Sequence, residues 1–231
     1  MPARLALCCP RIRRLAFALS LFAAATSKAG DVEPVVVDTA AVPVVGHACE
    51  GCEAVFHRLP SSLGAVLRLA PQDEAGERLL LDGRVLDRRG APVEGVVLYV
   101  YQTDASGVYP AADATVADGE ARRHGRLRGW VRSAADGGYR IETVRPGGYP
   151  GTDIPQHIHV HVLEPGCATY FIDDVLFDDD PRLTPTARRR LASGVGGDGI
   201  VRAIGGADGW VARRDVVLGR GIPDYPACGR G

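Results

Sequence analysis

The amino-acid sequence predicts an all-β protein: a β-sandwich core of short antiparallel strands, with an extended N-terminal arm and one short C-terminal helix. Two observations carry that prediction. The 231 residues include 29 Gly and 16 Pro, a composition rich in turns. Between those turns, short runs of Val, Leu, Ile and Tyr recur at regular spacing, the pattern of sandwich proteins. With 46% hydrophobic and 24% charged residues, the chain fits one soluble domain plus appendages. It is long enough to bury a core without relying on disulfides.

In chain order, residues 1–29 read as an export signal. Arg4, Arg11, Arg13 and Arg14 give a basic start, 15–25 is apolar, and Ser27-Lys28-Ala29 offers small residues for cleavage before Gly30. The apolar stretch is too short to cross a bilayer, which takes about 20 residues. Arg13-Arg14 also fits a loose twin-arginine pattern. The expected location is therefore periplasmic or extracellular, with no stable membrane insertion once the signal is removed. The remaining chain has 22 basic and 28 acidic residues, a formal charge of −6. It has no basic run with interleaved aromatics, which argues against a nucleic-acid partner. It has no Asn, hence no N-glycosylation sequon.

Residues 30–74 contain Pro34, Pro43, Pro60 and Pro71 without a sustained period, and read as an extended arm pinned to the core through Cys49 and Cys52. Within it, 63–69 is apolar enough to pack on the main domain, expected over 75–231. Beyond the signal lie Cys49, Cys52, Cys167 and Cys228, which in an oxidising compartment predict two disulfides of open connectivity. Cys49-Glu50-Gly51-Cys52 could instead be a redox pair or half of a zinc site, with His47 and His57 the nearby nitrogen ligands.

Strands are expected over 78–86, 93–102, 126–132, 139–143, 157–163 and 168–172. Arg89-Gly90, Ser106-Gly107, Asp136-Gly137-Gly138 and Pro146-Gly147-Gly148 supply turns between them. Thr184 as N-cap and Pro185 at the first helical position start a helix running to 191. Residues 194–199 read as a mobile loop, and 210–219 as one more strand. The aspartates at 173–174 and 178–180 read as a solvated acidic turn, and His47, His57 and His124 as surface histidines.

One stretch carries chemistry: Gln156-His157-Ile158-His159-Val160-His161. On a strand the three histidines share a face and alternate with apolar Ile158 and Val160. Same-face neighbours lie about 6.6 to 6.8 Å apart, so two imidazoles can converge on one ion, while His157 and His161 are too far apart to join the same one. Pro155 belongs at the strand's start, which favours His157 and His159. His161 then falls behind them or on the surface. Tyr149 sits in a Pro-Gly-Gly-Tyr-Pro-Gly turn, and Tyr109 beside another. Two phenolates and two neutral imidazoles suit Fe(III) better than Zn(II) or Cu(I), and no HExxH motif is present.

Three motifs in order, Tyr101-Gln102-Thr103-Asp104-Ala105-Ser106-Gly107-Val108-Tyr109, then Arg145-Pro146-Gly147-Gly148-Tyr149-Pro150, then Pro155-Gln156-His157-Ile158-His159-Val160, resemble the intradiol ring-cleavage dioxygenases, such as the protocatechuate 3,4- and catechol 1,2-dioxygenases. The resemblance covers about residues 77–180. It implies one non-haem Fe(III) per chain held by Tyr109, Tyr149, His157 and His159. It also implies a small aromatic diol and O₂ as partners, cleavage between the two hydroxylated carbons, and a cis,cis-muconate-type product. Assembly into a homo-oligomer is compatible with it. In the better-known members an arginine stands three residues before the first histidine; here that position is Ile154, which reads as a residue lining the substrate pocket. Arg126, Arg128 and Arg132 are the candidates to replace the missing guanidinium.

Overall fold

The computed structural model describes residues 42–49, 51–116 and 119–228. The expected signal and the first part of the arm lie outside them. Among the described residues the strands are β1 (Val66–Arg68), β2 (Arg78–Leu86), β3 (Val97–Gln102), β4 (Arg128–Arg132), β5 (Gly138–Val144), β6 (His157–Glu164), β7 (Ala168–Phe177), β8 (Ile200–Val201), β9 (Ile204–Gly206), β10 (Gly209–Arg213) and β11 (Val216–Val217). Two short helices join them, α1 (Glu120–Arg123) and α2 (Pro185–Leu191).

The strands form two sheets. One runs β1-β5-β2-β10-β9, with β11 also on β2; the other runs β4-β3-β6-β7-β8. The central pairs β2/β5, β3/β4, β3/β6 and β6/β7 are antiparallel, as predicted. Peripheral pairs β1/β5, β10/β2, β11/β2 and β7/β8 are parallel, which sequence alone did not anticipate.

Alternation builds the core. In β2, Leu79, Leu81 and Val85 point inward while Arg84 is exposed. They meet Ile141 of β5, Leu98 and Val100 of β3, and Ile158, Val160 and Val162 of β6 in one apolar cluster between the sheets. Burying each such side chain contributes ~1.5–3 kcal/mol, so this face of β6 is fixed by packing and its histidine-bearing face must point away from the core. The outer face of the second sheet is covered as well: Val97, Tyr99 and Tyr101 of β3 pack with Ala54, Val55, Val116 and Ala121. Every residue of β3 is therefore buried.

Three expectations change. Residues 42–74 are more than an extended arm with one packing segment at 63–69. Val45 donates its N–H to the Thr169 carbonyl, a 3₁₀ turn at Cys52–Val55 is buried, and 66–68 joins the sheet as β1. Cys49 pairs with Cys52 and Cys167 with Cys228. The first bridge closes a local loop, so it does not pin this segment to the core. The stretch 194–199 is largely buried and tied down, with Gly196 N–H bonded to the Arg220 carbonyl and no room for a Cβ against Ile172. Helix α2 stands where predicted, with Thr184 Oγ1 accepting the Ala187 N–H. Helix α1 was not foreseen.

Candidate metal centre

The site assembles from β6 and two glycine-rich loops. The loop after β3 brings Tyr109. Asp104 organises it, its carboxylate accepting the Ser106 and Val108 N–H groups. The loop after β5 brings Tyr149. The two are clamped together, with Gly147 N–H on the Asp104 carbonyl and Thr103 Oγ1 donating to the Gly147 carbonyl. The approach demands glycine: a Cβ on Gly107, at φ +83°, would lie 2.1 Å from the Gly148 carbonyl oxygen, and one on Gly147 2.4 Å from the Gly107 nitrogen.

Four donor atoms close a ring. Tyr109 Oη lies 2.6 Å from Tyr149 Oη, Tyr149 Oη 3.2 Å from His157 Nε2, His157 Nε2 3.1 Å from His159 Nε2, and His159 Nε2 2.9 Å from Tyr109 Oη. All four predicted residues thus converge on one point. The imidazole edge of the ring is the telling one. His157 Nδ1 faces the Pro155 carbonyl at 2.7 Å, an acceptor only, so Nδ1 carries the proton. His159 Nδ1 faces the Asp174 carboxylate at 2.9 Å and donates likewise. With both rings neutral, each Nε2 turns a lone pair toward the phenol oxygens and the other imidazole, a donor set that a cation among the four atoms would satisfy.

The electrostatics agree. Burial pushes the Tyr109 phenol far above its ordinary value, and the Tyr149 hydroxyl adds to it; burial also raises Tyr149. Neither phenol ionises at neutral pH unaided, so a phenolate pair requires a strongly polarising cation. Burial, with the neighbouring His159, holds His157 below its usual value, in the neutral form that ligation needs. The donor set of two phenol oxygens and two imidazole nitrogens fits a hard trivalent ion.

Two residues around the donors, Asp174 and His124, were misjudged from sequence. Asp174 belongs to the site rather than to a solvated turn. Between Ile158 and Val160 the β6/β7 register shifts, so Asp173 and Asp174 both stand opposite His159. This bulge sends Asp174 to His159, while Asp173 turns inward to accept the Ser193 hydroxyl and Gly194 N–H. Asp179 pairs with Arg145, and Asp180 accepts the Gln156 N–H. His124 is buried, not on the surface. It stacks on Tyr101 at 3.5 Å between centroids, and Tyr101 stacks on His159 at 4.3 Å. His161 is buried as well, its Nδ1 3.6 Å from Cys52 Sγ, and takes no part in the four-atom ring.

A cavity of about 480 Å³ opens on the centre, lined by Tyr109, Tyr149, His159, Tyr101, Glu120 and Arg123 among others. Ile154 does not line it. It is exposed, and its carbonyl accepts from Arg182 Nη1 at 3.4 Å. Arg126 is paired with Glu74, Arg128 lies over Trp130, and Arg132 lies against Gly95, so none of the three replaces the missing guanidinium.

A family profile described as Dioxygenase matches residues 55–193, the stretch holding all four donors and Asp174. The chain belongs to the intradiol dioxygenase family. It is 32% identical over 132 residues to the protocatechuate 3,4-dioxygenase beta chain of Burkholderia cepacia, covering 51% of this chain and 56% of that one. The dioxygenase domain of a dioxygenase–carbohydrate-binding fusion from Streptomyces sp. SirexAA-E superposes with a TM-score of 0.51 at 28% identity, over 66% of this chain and 88% of that one. An Acinetobacter catechol 1,2-dioxygenase shares the fold, with a TM-score of 0.53 at 18% identity over 71% and 62% of the two chains. The intradiol dioxygenase chain described here spans about half the length of the curated relatives it matches.

Proposed function

We propose that this protein is an exported non-haem Fe(III) dioxygenase. It would cleave a catechol-type ring between its two hydroxylated carbons with O₂, giving a cis,cis-muconate-type dicarboxylate that holds both oxygen atoms. The observation that carries this reading is the closed ring of four donor atoms, two imidazole Nε2 atoms 3.1 Å apart and two phenol oxygens 2.6 Å apart. Tyr109, Tyr149, His157 and His159 would hold one ferric ion, which when bound supplies Lewis-acid activation of the diol toward O₂.

The chain's own residues do the rest. Asp174 and the Pro155 carbonyl fix both imidazoles in the tautomer that leaves Nε2 free. Tyr101, stacked on His159, keeps that ring from turning. A diol that binds through both oxygens would release two hydroxyl protons, of which the Oη of Tyr109 or Tyr149 can take one and water in the open cavity the other. Residues 1–29 would direct export, leaving a mature chain that begins at Gly30. A mature N-terminus at Gly30 in the exported fraction checks that part.

The deciding measurement is optical and respirometric. The iron-loaded protein should be red-brown from tyrosinate-to-iron charge transfer, change colour with a diol, and consume O₂ with one of catechol, protocatechuate or hydroxyquinol. A protein that stays colourless after ferric loading overturns the ligand set. Colour and diol binding without O₂ uptake would make it a binding domain that retains the fold. Tyr149→Phe should weaken the visible band.

A further inference from the structure

The charges in the cavity wall point to one kind of diol. Among the described residues lining the cavity, the charged side chains are Glu120, Arg123 and Asp174. Asp174 is committed to His159. Glu120 and Arg123, at the two ends of α1, form an ion pair. The two partners are not equally placed: the Glu120 side chain is 18% exposed and the Arg123 side chain 71%. The carboxylate is thus the group set into the wall, while the guanidinium reaches out to solvent with its charge already engaged. Arg123 is the sole Lys or Arg among those lining residues, and Ile154 is not among them.

We infer that Glu120, held by Arg123, is a charge filter that admits uncharged catechols and hydroxylated catechols and rejects ring-carboxylated diols such as protocatechuate. This inference rests on the diol-binding reading above. A benzoate group entering the cavity would give up water without meeting a free cation, and would do so beside two carboxylates. An extra neutral hydroxyl pays no such penalty and can donate to Glu120. Specificity would then come from a repulsive element in the wall, with no contact to the diol oxygens needed.

The test is anaerobic equilibrium binding to the iron-loaded protein, read by displacement of coloured 4-nitrocatechol, so that no turnover is required. Catechol and hydroxyquinol should displace it at concentrations at least about tenfold lower than protocatechuate. Glu120→Gln, which removes the wall charge and frees Arg123, should shrink that ratio about tenfold. Arg123→Ala, which leaves Glu120 unpaired, should hold or widen it. Protocatechuate binding as well as catechol, or a ratio unmoved in Glu120→Gln, overturns the filter while leaving the dioxygenase reading intact. Failure of 4-nitrocatechol and every diol to bind the iron-loaded protein overturns both.

Discussion

At His159 one ring nitrogen faces the cavity and the other faces Asp174, so the state of Nε2 is set from behind the ring. Removing the acceptor frees the imidazole to rotate or change tautomer. Asp174→Ala should therefore lower ferric affinity 10- to 100-fold, measured by competition with a chelator such as citrate. Asp174→Asn keeps an acceptor oxygen and should recover most of the loss. Equal iron retention in Asp174→Ala and wild type would remove Asp174 from the centre. The buried histidines behind the site have a different consequence. Burial, with His161 and His159 adding to it, holds His124 down at about 3, and burial holds His161 at about 4. In the unfolded chain both titrate near 6.5, so below that pH the unfolded state binds more protons than the folded one. Their contribution to stability is complete above about pH 6.5 and is lost as pH falls toward 4, at up to ~1.4 kcal/mol per pH unit for each histidine. Urea unfolding of iron-free protein between pH 7 and 5 should show this slope, to which His157 adds in the same direction, and His124→Phe should reduce it. A wild-type midpoint that does not move over that range would mean these histidines are not held neutral.

The elements explain which parts of the site could be read in advance. The two tyrosine loops announce themselves because their geometry needs glycine: Gly107 and Gly147 touch backbone to backbone, and the tyrosines follow within two residues. Strand β6 is equally legible, since its inward face must be Ile158, Val160 and Val162 and its outward face is then histidine. The bulge in β7 has no such signature. Two adjacent aspartates look alike in sequence, yet the inserted residue turns one toward Ser193 and the other toward His159. Helix α1 was missed because four residues are too few to set up a period, and β1 because its three residues gain their stability from pairing with β5. His124 was misplaced for the same reason: only α1 and the register Tyr101↔His159 bring it over the ring. The clamp between loops also yields a prediction. Gly147→Ala would force a Cβ to within 2.6 Å of the Ala105 carbonyl oxygen as well as onto Gly107, so the loops must part. We expect ~2–3 kcal/mol of destabilisation together with a weakened tyrosinate band in protein that is still folded. A lower Tm with an unchanged band would show that the loops position the tyrosines independently.

Across the whole molecule, stability and chemistry occupy different places on β6. The strand starts at His157 in the donor ring and ends at Glu164, about 23 Å away at 3.3 Å per residue. At that far end Glu164 accepts from Tyr170 and Tyr225, and Cys167–Cys228 ties the β6–β7 turn to the C-terminal segment. The other bridge, Cys49–Cys52, lies against His161 and next to Ala48 in the cavity wall. Chain-entropy reasoning separates the two. A bridge between residues 61 apart restrains the unfolded chain by about 4 kcal/mol, and one between residues three apart by about 2. Position separates them in the opposite sense. Cys167→Ser with Cys228→Ser should lower Tm more, yet leave the iron–tyrosinate band and diol binding unchanged below the transition. Cys49→Ser with Cys52→Ser should lower Tm less, but alter diol affinity, because it loosens the wall beside His161. Paired thermal melts and 4-nitrocatechol titrations on the two double variants check both halves. If the distal pair changed the band, or the proximal pair left diol binding intact, the outer face of this sheet would not be working as a separate chemical surface on a core-stabilised sandwich.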